Sequence, residues 1–129
     1  MNWLNLAIAL ALLQALVFGV LVGRARGRYG VKAPATTGHE IFDRYYRVQM
    51  NTLELLMLLV PAAYLAVDTL GACAAAIAVG IYLVGRLLYL RGYVADPAKR
   101  EIGFALSVLP VVVLIGAALW GNARALIAG

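Results

Sequence analysis

A polar and charged run stands at the head of a segment that is otherwise apolar enough to cross a membrane. Residues 42–54 read FDRYYRVQMNTLE and lead directly into the apolar run LLMLLV at 55–60. Charged side chains are costly inside a bilayer and persist there when they are paired or functional. Arg47, Asn51 and Glu54 have the spacing i, i+4, i+7, which places them on one helical face. These three residues, the polar stripe, are the first candidate functional feature.

The surroundings of the stripe are strongly apolar. Of the 129 residues, 64% are hydrophobic and 13% are charged, and the mean hydropathy is +0.90. A soluble domain would carry about 25% charged residues. Four apolar runs, at about 3–22, 45–67, 70–90 and 102–123, each have the length of a membrane span. We therefore expect an all-α integral membrane protein, with a single four-transmembrane-helix bundle over residues 1–129.

The basic residues predict the orientation of this bundle. Ten of the 11 Lys and Arg residues lie in or beside the first and third connections, and Arg124 alone lies at the opposite end. The positive-inside rule then predicts that these connections are cytoplasmic and that both termini are outside. The Ala- and Gly-rich composition favours a bacterial inner membrane. Basic residues at helix ends do not indicate a nucleic-acid partner, and a single loop histidine, His39, does not indicate a metal site. The single cysteine, Cys73, is expected to be a buried packing residue.

Four groups of polar residues converge on the predicted cytoplasmic half. They are the polar stripe, then Arg86, Tyr89 and Tyr93 on the third span, then 99–101 (KRE) before the fourth span, and Arg24 and Arg26 after the first. Together they predict a pocket with excess positive charge. Such a pocket suits an anionic, hydrogen-bonding guest whose cationic end meets Glu54. Glutathione has two carboxylates and an amine, and its thiol would become more acidic beside an arginine.

Simpler interpretations of these residues stay open at this point. Basic residues at helix ends are common topology signals and interfacial anchors, and tyrosines are common in the interfacial belt. A structural ion pair without any ligand, Arg47 with Glu54 or Arg86 with Glu54, would also account for the buried charge.

The chain resembles the MAPEG family, the membrane-associated proteins in eicosanoid and glutathione metabolism. The resemblance lies in residues 42–54, in GRLLYLRGY at 85–93 and in Arg100 before the fourth span. It implies a homotrimer that binds glutathione between adjacent subunits, and Arg100 as the residue that stabilises the thiolate. The implied glutathione ligands of one subunit are Arg47, Asn51, Glu54, Arg86, Tyr89 and Tyr93. Those of the neighbouring subunit are Arg26 and Gln49.

The resemblance implies a membrane glutathione transferase or peroxidase that uses glutathione as co-substrate and no metal. Its second substrate would be a lipophilic electrophile or a lipid hydroperoxide, as in detoxification. The chain departs from leukotriene-forming members at Leu55 and Gly27, which favours a general transferase. One alternative is a non-catalytic lipid-binding scaffold of the same fold, against which Arg100 argues. A small multidrug-type transporter is a further alternative, but the first span lacks the membrane carboxylate of that class.

Overall fold

The computed structural model describes residues 1–129, and all of its regular secondary structure is helical. The helices are α1 (Asn2–Tyr29), α2 (Glu40–Leu65), the short α3 (Val67–Leu70), α4 (Ala72–Ala95) and α5 (Glu101–Ala128), and a 3-10 helix, Pro97–Arg100, precedes α5. Four helical segments are each long and apolar enough to cross a membrane: α1, α2, α4, and α5 together with the 3-10 helix before it. The expected all-α architecture with four potential spans is confirmed.

The long helices continue beyond the predicted apolar runs at the end that carries the basic connections. There α1 continues through its arginines to Tyr29, α2 begins at Glu40, and α4 continues to Ala95. Hydropathy marks only the part of a helix that fits the hydrocarbon, whereas arginine, lysine and glutamate are good helix formers. The polar residues at this end, which we call the basic end, therefore lie mostly on helices rather than in loops.

Local signals account for the helix ends. Gly30 has a φ of 69°, the left-handed conformation that commonly ends a helix, and it ends α1. The Nδ1 atom of His39 accepts a hydrogen bond from the Ile41 amide at the start of α2. The Asp96 side chain accepts one from the Ala98 amide and so starts the 3-10 helix. The connection between α2 and α4 contains the short helix α3, which Gly71 caps at its C-terminal end.

The bundle packs around α4, which contacts α1, α2 and α5. The main hydrophobic cluster lies away from the basic end; its larger members include Leu4, Ile8, Leu55, Leu56, Leu59, Tyr82 and Leu114. Among the 18 most apolar consecutive residues of each long helix, only 28–33% are buried within the chain. The remaining apolar side chains face outward, which is the arrangement a lipid bilayer stabilises.

Two glycines bring α5 unusually close to α4 at the basic end. A Cβ atom at Gly103 would overlap the backbone of Tyr89, and one at Gly85 would lie 2.7 Å from the backbone of Ser107. Small residues allow membrane helices to approach in this way. The close approach places α5 side chains within reach of the α4 polar residues.

The expectation for Cys73 is wrong. The side chain is exposed on the chain, in an apolar groove between α1 and α4 lined also by Trp3, Leu10 and Ile77. Cys73 lies near the first turn of α4, where the neighbouring small residues leave it uncovered.

Candidate functional site

A polar cavity of about 470 Å³ opens at the basic end of the bundle, between α2, α4 and the start of α5. It is lined by Arg47, Asn51, Tyr89, Tyr93, Arg100, Glu101 and Phe104. The structure therefore brings together five predicted site residues from three separate segments of the chain: Arg47, Asn51, Tyr89, Tyr93 and Arg100. Arg100 reaches the cavity because it ends the 3-10 helix immediately before α5.

Arg86 lies behind the wall of this cavity and is 0% exposed. Its Nε donates to Ser107 Oγ at 2.8 Å, and its Nη1 donates to Asn51 Oδ1 at 2.8 Å and to Thr52 Oγ1 at 3.1 Å. The Nη2 atom is buried without a partner. Arg86 therefore joins α2, α4 and α5, and it is tied directly to the cavity residue Asn51.

Aromatic rings continue from Arg86 towards the basic end. The Arg86 guanidinium carbon lies 4.3 Å from the Tyr89 ring centroid, within cation–π distance. The Tyr89 and Tyr93 rings stack with their centroids 5.4 Å apart, and Phe104 lies 6.1 Å from Tyr89. These contacts fix the two tyrosines that line the cavity.

The arginines of the site have no carboxylate partner. The one ion pair in the chain joins Arg44 to Glu40 at 2.5 Å, outside this cavity. Neither Arg47 nor Arg86 is paired with Glu54, so the structural ion pairs considered from the sequence do not form within a chain. The cavity is lined by one acidic residue, Glu101, and by two basic residues, Arg47 and Arg100. The site therefore carries excess positive charge, which suits an anion.

Besides Arg86, three predicted glutathione ligands lie outside the cavity of their own chain. Glu54 is exposed on α2, and it does not line the cavity. Arg26 donates to the Ala35 carbonyl at 2.6 Å and lies over the Phe42 ring. Gln49 lies on a different face of α2, against Gly19 of α1.

A second polar cavity, of about 460 Å³, adjoins the first and shares Arg47 and Tyr93 with it. Its wall is held by Arg44, whose Nη1 donates to the carbonyls of Val94 at 2.9 Å and Ala95 at 3.3 Å. Arg44 thereby fixes the start of α2 to the end of α4, next to Tyr93.

Three residues of the site are not among those predicted from the sequence. Thr52 and Ser107 hold Arg86, and Phe104 lines the cavity beside Tyr89. Ser107 is an isolated hydroxyl in an apolar span, four residues after Gly103. That pattern indicates a polar contact at a close helix crossing and could have been recognised.

Comparison with known proteins gives a consistent result. The model of the MAPEG family matches residues 4–120. An uncharacterized protein of Synechocystis sp. is 45% identical over 117 residues, covering 91% of this chain and 85% of that protein. Microsomal glutathione S-transferase 2 of Homo sapiens is 35% identical over 106 residues, covering 81% and 72%. Leukotriene C4 synthase of Bos taurus is 34% identical over 110 residues, covering 85% and 73%. The family match spans most of the chain, which therefore belongs to the MAPEG family.

Proposed function

We propose that this multi-pass membrane protein is a glutathione transferase that activates the glutathione thiol in the cavity around Arg47, Asn51 and Arg100. The observation that carries the proposal is a cationic, tyrosine-lined cavity whose arginines lack carboxylate partners. Glutathione is anionic and rich in hydrogen-bonding groups, so it matches this cavity in charge. The name of the similar microsomal glutathione S-transferase 2 supports glutathione as co-substrate.

The residues of the cavity have separate roles in this proposal. Arg47 and Asn51 bind carboxylate or carbonyl oxygens, and Tyr89 and Tyr93 supply hydroxyl groups and flat apolar faces. Arg100 stabilises the thiolate, which lowers the free energy of losing the thiol proton to solvent. Holding both reactants in one orientation then accelerates the chemical step.

The thiolate sulfur attacks an electrophilic carbon of the second substrate. A new C–S bond forms, and the leaving group departs with the electron pair of the bond that breaks. With a lipid hydroperoxide, the sulfur instead attacks the terminal oxygen, the O–O bond breaks, and the alkoxide that leaves takes a proton from solvent to give an alcohol. The resulting sulfenic acid and a second glutathione then yield glutathione disulfide and water.

The second substrate reaches the cavity from the bilayer. Phe104 lines the cavity, while Ile102, two residues earlier on α5, is 73% exposed on the apolar exterior. The first turns of α5 therefore connect the polar cavity with the surface that faces lipid. Leu55 is packed in the hydrophobic core, and Gly27 adds no charge at the basic end. These residues support a general lipophilic electrophile as substrate rather than leukotriene synthesis.

We propose a homotrimer in which the neighbouring subunit contributes Arg26 and Gln49 to each site. Glu54 is exposed on a membrane-spanning helix without an ion-pair partner in its own chain. An unpaired carboxylate at this depth is costly, so a cationic group of the ligand or of a neighbour would stabilise it. The basic end faces the cytoplasm in this proposal, because the positive-inside rule places connections rich in lysine and arginine on that side. The membrane is a bacterial inner membrane.

A glutathione titration of the purified protein in detergent micelles tests the proposal. We expect the wild type to bind glutathione and to give the ultraviolet absorbance of its thiolate. Arg100→Ala should retain binding but lose the thiolate signal, and Glu54→Gln should weaken binding. Arg124→Ala is the control, because Arg124 lies at the opposite end of the bundle beside Trp120. If the wild type does not bind glutathione at millimolar concentration, the proposed function is wrong.

A further inference from the structure

We propose that Thr52 and Ser107 are positioning residues that act through Arg86 to hold the Asn51 carboxamide with its amide donors free for the ligand. The inference deepens the proposed function and rests on it. It assigns to Asn51 the role of a hydrogen-bond donor, and to two buried hydroxyls the role of fixing that donor in place.

The chemistry of the guanidinium determines which end of Asn51 it meets. Arginine has five N–H donors and no acceptor, so only the Asn51 oxygen can pair with it. Nη1 of Arg86 makes this bond at 2.8 Å. Since the carboxamide oxygen is engaged, the two Nδ2 hydrogens are left for other partners, and Asn51 lines the cavity. Asn51 therefore offers donors to a carboxylate or carbonyl oxygen.

Ser107 is itself held in the orientation that suits Arg86. Its hydroxyl donates to the Gly103 carbonyl at 2.6 Å, one turn earlier on α5. A serine hydroxyl has one proton, so the lone pairs of Oγ remain for the Arg86 Nε–H, which donates to it at 2.8 Å. The Ser107 side chain is 0% exposed, so water cannot replace it as the acceptor.

Thr52 provides the second fixed acceptor, from α2. Its Oγ1 shares Nη1 of Arg86 with Asn51, and the Thr52 side chain is 1% exposed. With Ser107 on Nε and Thr52 on Nη1, the guanidinium plane is held from two helices. Loss of either hydroxyl leaves a buried donor unsatisfied, and the guanidinium then turns towards whichever oxygen remains. The Asn51 carboxamide loses its fixed orientation in consequence.

Matched variants separate this role from general stability. Thr52→Val keeps the shape of the side chain and removes the hydroxyl, whereas Thr52→Ser keeps the hydroxyl. Ser107→Ala removes the acceptor on α5. Val79→Ala is a destabilised control, since Val79 is fully buried in the main cluster on the same helix as Arg86. Tyr82→Phe is a hydroxyl control, because the buried Tyr82 hydroxyl has no hydrogen-bond partner.

The readouts are the glutathione Kd, the KM for the electrophile and the thermal midpoint of each detergent-solubilised variant. Thr52→Val and Ser107→Ala should each raise the glutathione Kd about five- to tenfold, as expected for one lost hydrogen bond. The KM for the electrophile should stay unchanged, and Thr52→Ser should restore the wild-type Kd. Val79→Ala should lower the thermal midpoint without changing the Kd, and Tyr82→Phe should also leave the Kd unchanged.

Asn51→Asp keeps the inference testable if the hydroxyl variants do not fold. The aspartate retains an oxygen for Arg86 but has no amide donors, so glutathione binding should be lost while the fold is retained. Wild-type affinity in Asn51→Asp, or in folded Thr52→Val and Ser107→Ala, would overturn the inference and leave the proposed function intact. If the wild type itself fails to bind glutathione, both are overturned.

Discussion

Gly103 of α5 and Tyr89 of α4 are in backbone contact, because a Cβ atom at Gly103 would overlap the Tyr89 backbone. This contact sets the distance between α4, which supplies Tyr89, and α5, which supplies Ser107 and directly follows Arg100. The same helix crossing has a second close contact, between Gly85 of α4 and the backbone of Ser107 in α5. The geometry of the cavity therefore depends on residues that have no functional group of their own.

Gly103→Ala should destabilise the protein and weaken glutathione binding together. The added methyl group must push α5 away from α4, and overpacking of this kind typically costs about 1–3 kcal/mol. Gly116→Ala is the matched control on the same helix, because its Cβ would meet no atom within 4 Å. That variant should be neutral, or stabilising by up to about 1 kcal/mol. Thermal unfolding in detergent measures both effects, and equal midpoints for the two variants would contradict the packing argument.

Arg44→Ala should loosen the end of α4. Arg44 donates to the Val94 and Ala95 carbonyls, which lie at the end of the helix and lack intrahelical donors. The loss should cost about 1.5–3 kcal/mol, the range for hydrogen bonds to charged groups. Hydrogen exchange should become faster in the last turn of α4, including Tyr93. Arg91→Ala is the control, since Arg91 is exposed and makes no side-chain hydrogen bond. If hydrogen exchange becomes faster in Arg91→Ala as well, the effect is not specific to Arg44.

The sequence predicted the fold well because hydropathy alone determines the number of potential spans. It could not predict their true ends, since hydropathy does not report helix that continues outside the hydrocarbon. Periodicity placed Arg47 with Asn51, and Arg86 with Tyr89 and Tyr93, because neighbours on a helix face are fixed by local geometry. These are the residues that the structure brings to one cavity or directly behind it.

Contacts between helices were harder to anticipate. The partners of Arg86 come from α2 and α5, and only the crossing at Gly85 and Gly103 determines that Ser107 reaches it. The alternative of a structural ion pair with Glu54 is not realised within the chain. Arg47 lies about two turns from Glu54 on the same helix, and Arg86 is held by oxygens of Asn51, Thr52 and Ser107. The direction in which Arg26 and Gln49 point is clear within one chain, but their role as ligands of a neighbouring site stays a prediction.

Asp43 should hold the connection between α1 and α2 in place. Its carboxylate accepts from the Thr37 hydroxyl at 2.8 Å and from the Gly38 amide at 3.2 Å. Asp43→Asn and Thr37→Val should each make residues 30–39 more sensitive to limited proteolysis. Because both variants remove the same contact, the double variant should add little to either one. Fully additive effects would show that the two side chains act independently.

Glutathione affinity should fall as ionic strength rises, because Arg47 and Arg100 line the cavity and are exposed to solvent. The screening length falls from about 30 Å at 0.01 M salt to about 10 Å at 0.1 M, so the attraction of an anion weakens over this range. The Arg47→Gln variant should bind glutathione more weakly at low salt, and its glutathione affinity should depend less on the salt concentration. Arg124→Gln, which removes the same charge from the opposite end of the bundle, should keep the wild-type dependence. Parallel salt dependences for wild type and Arg47→Gln would show that Arg47 does not act on the ligand through its charge.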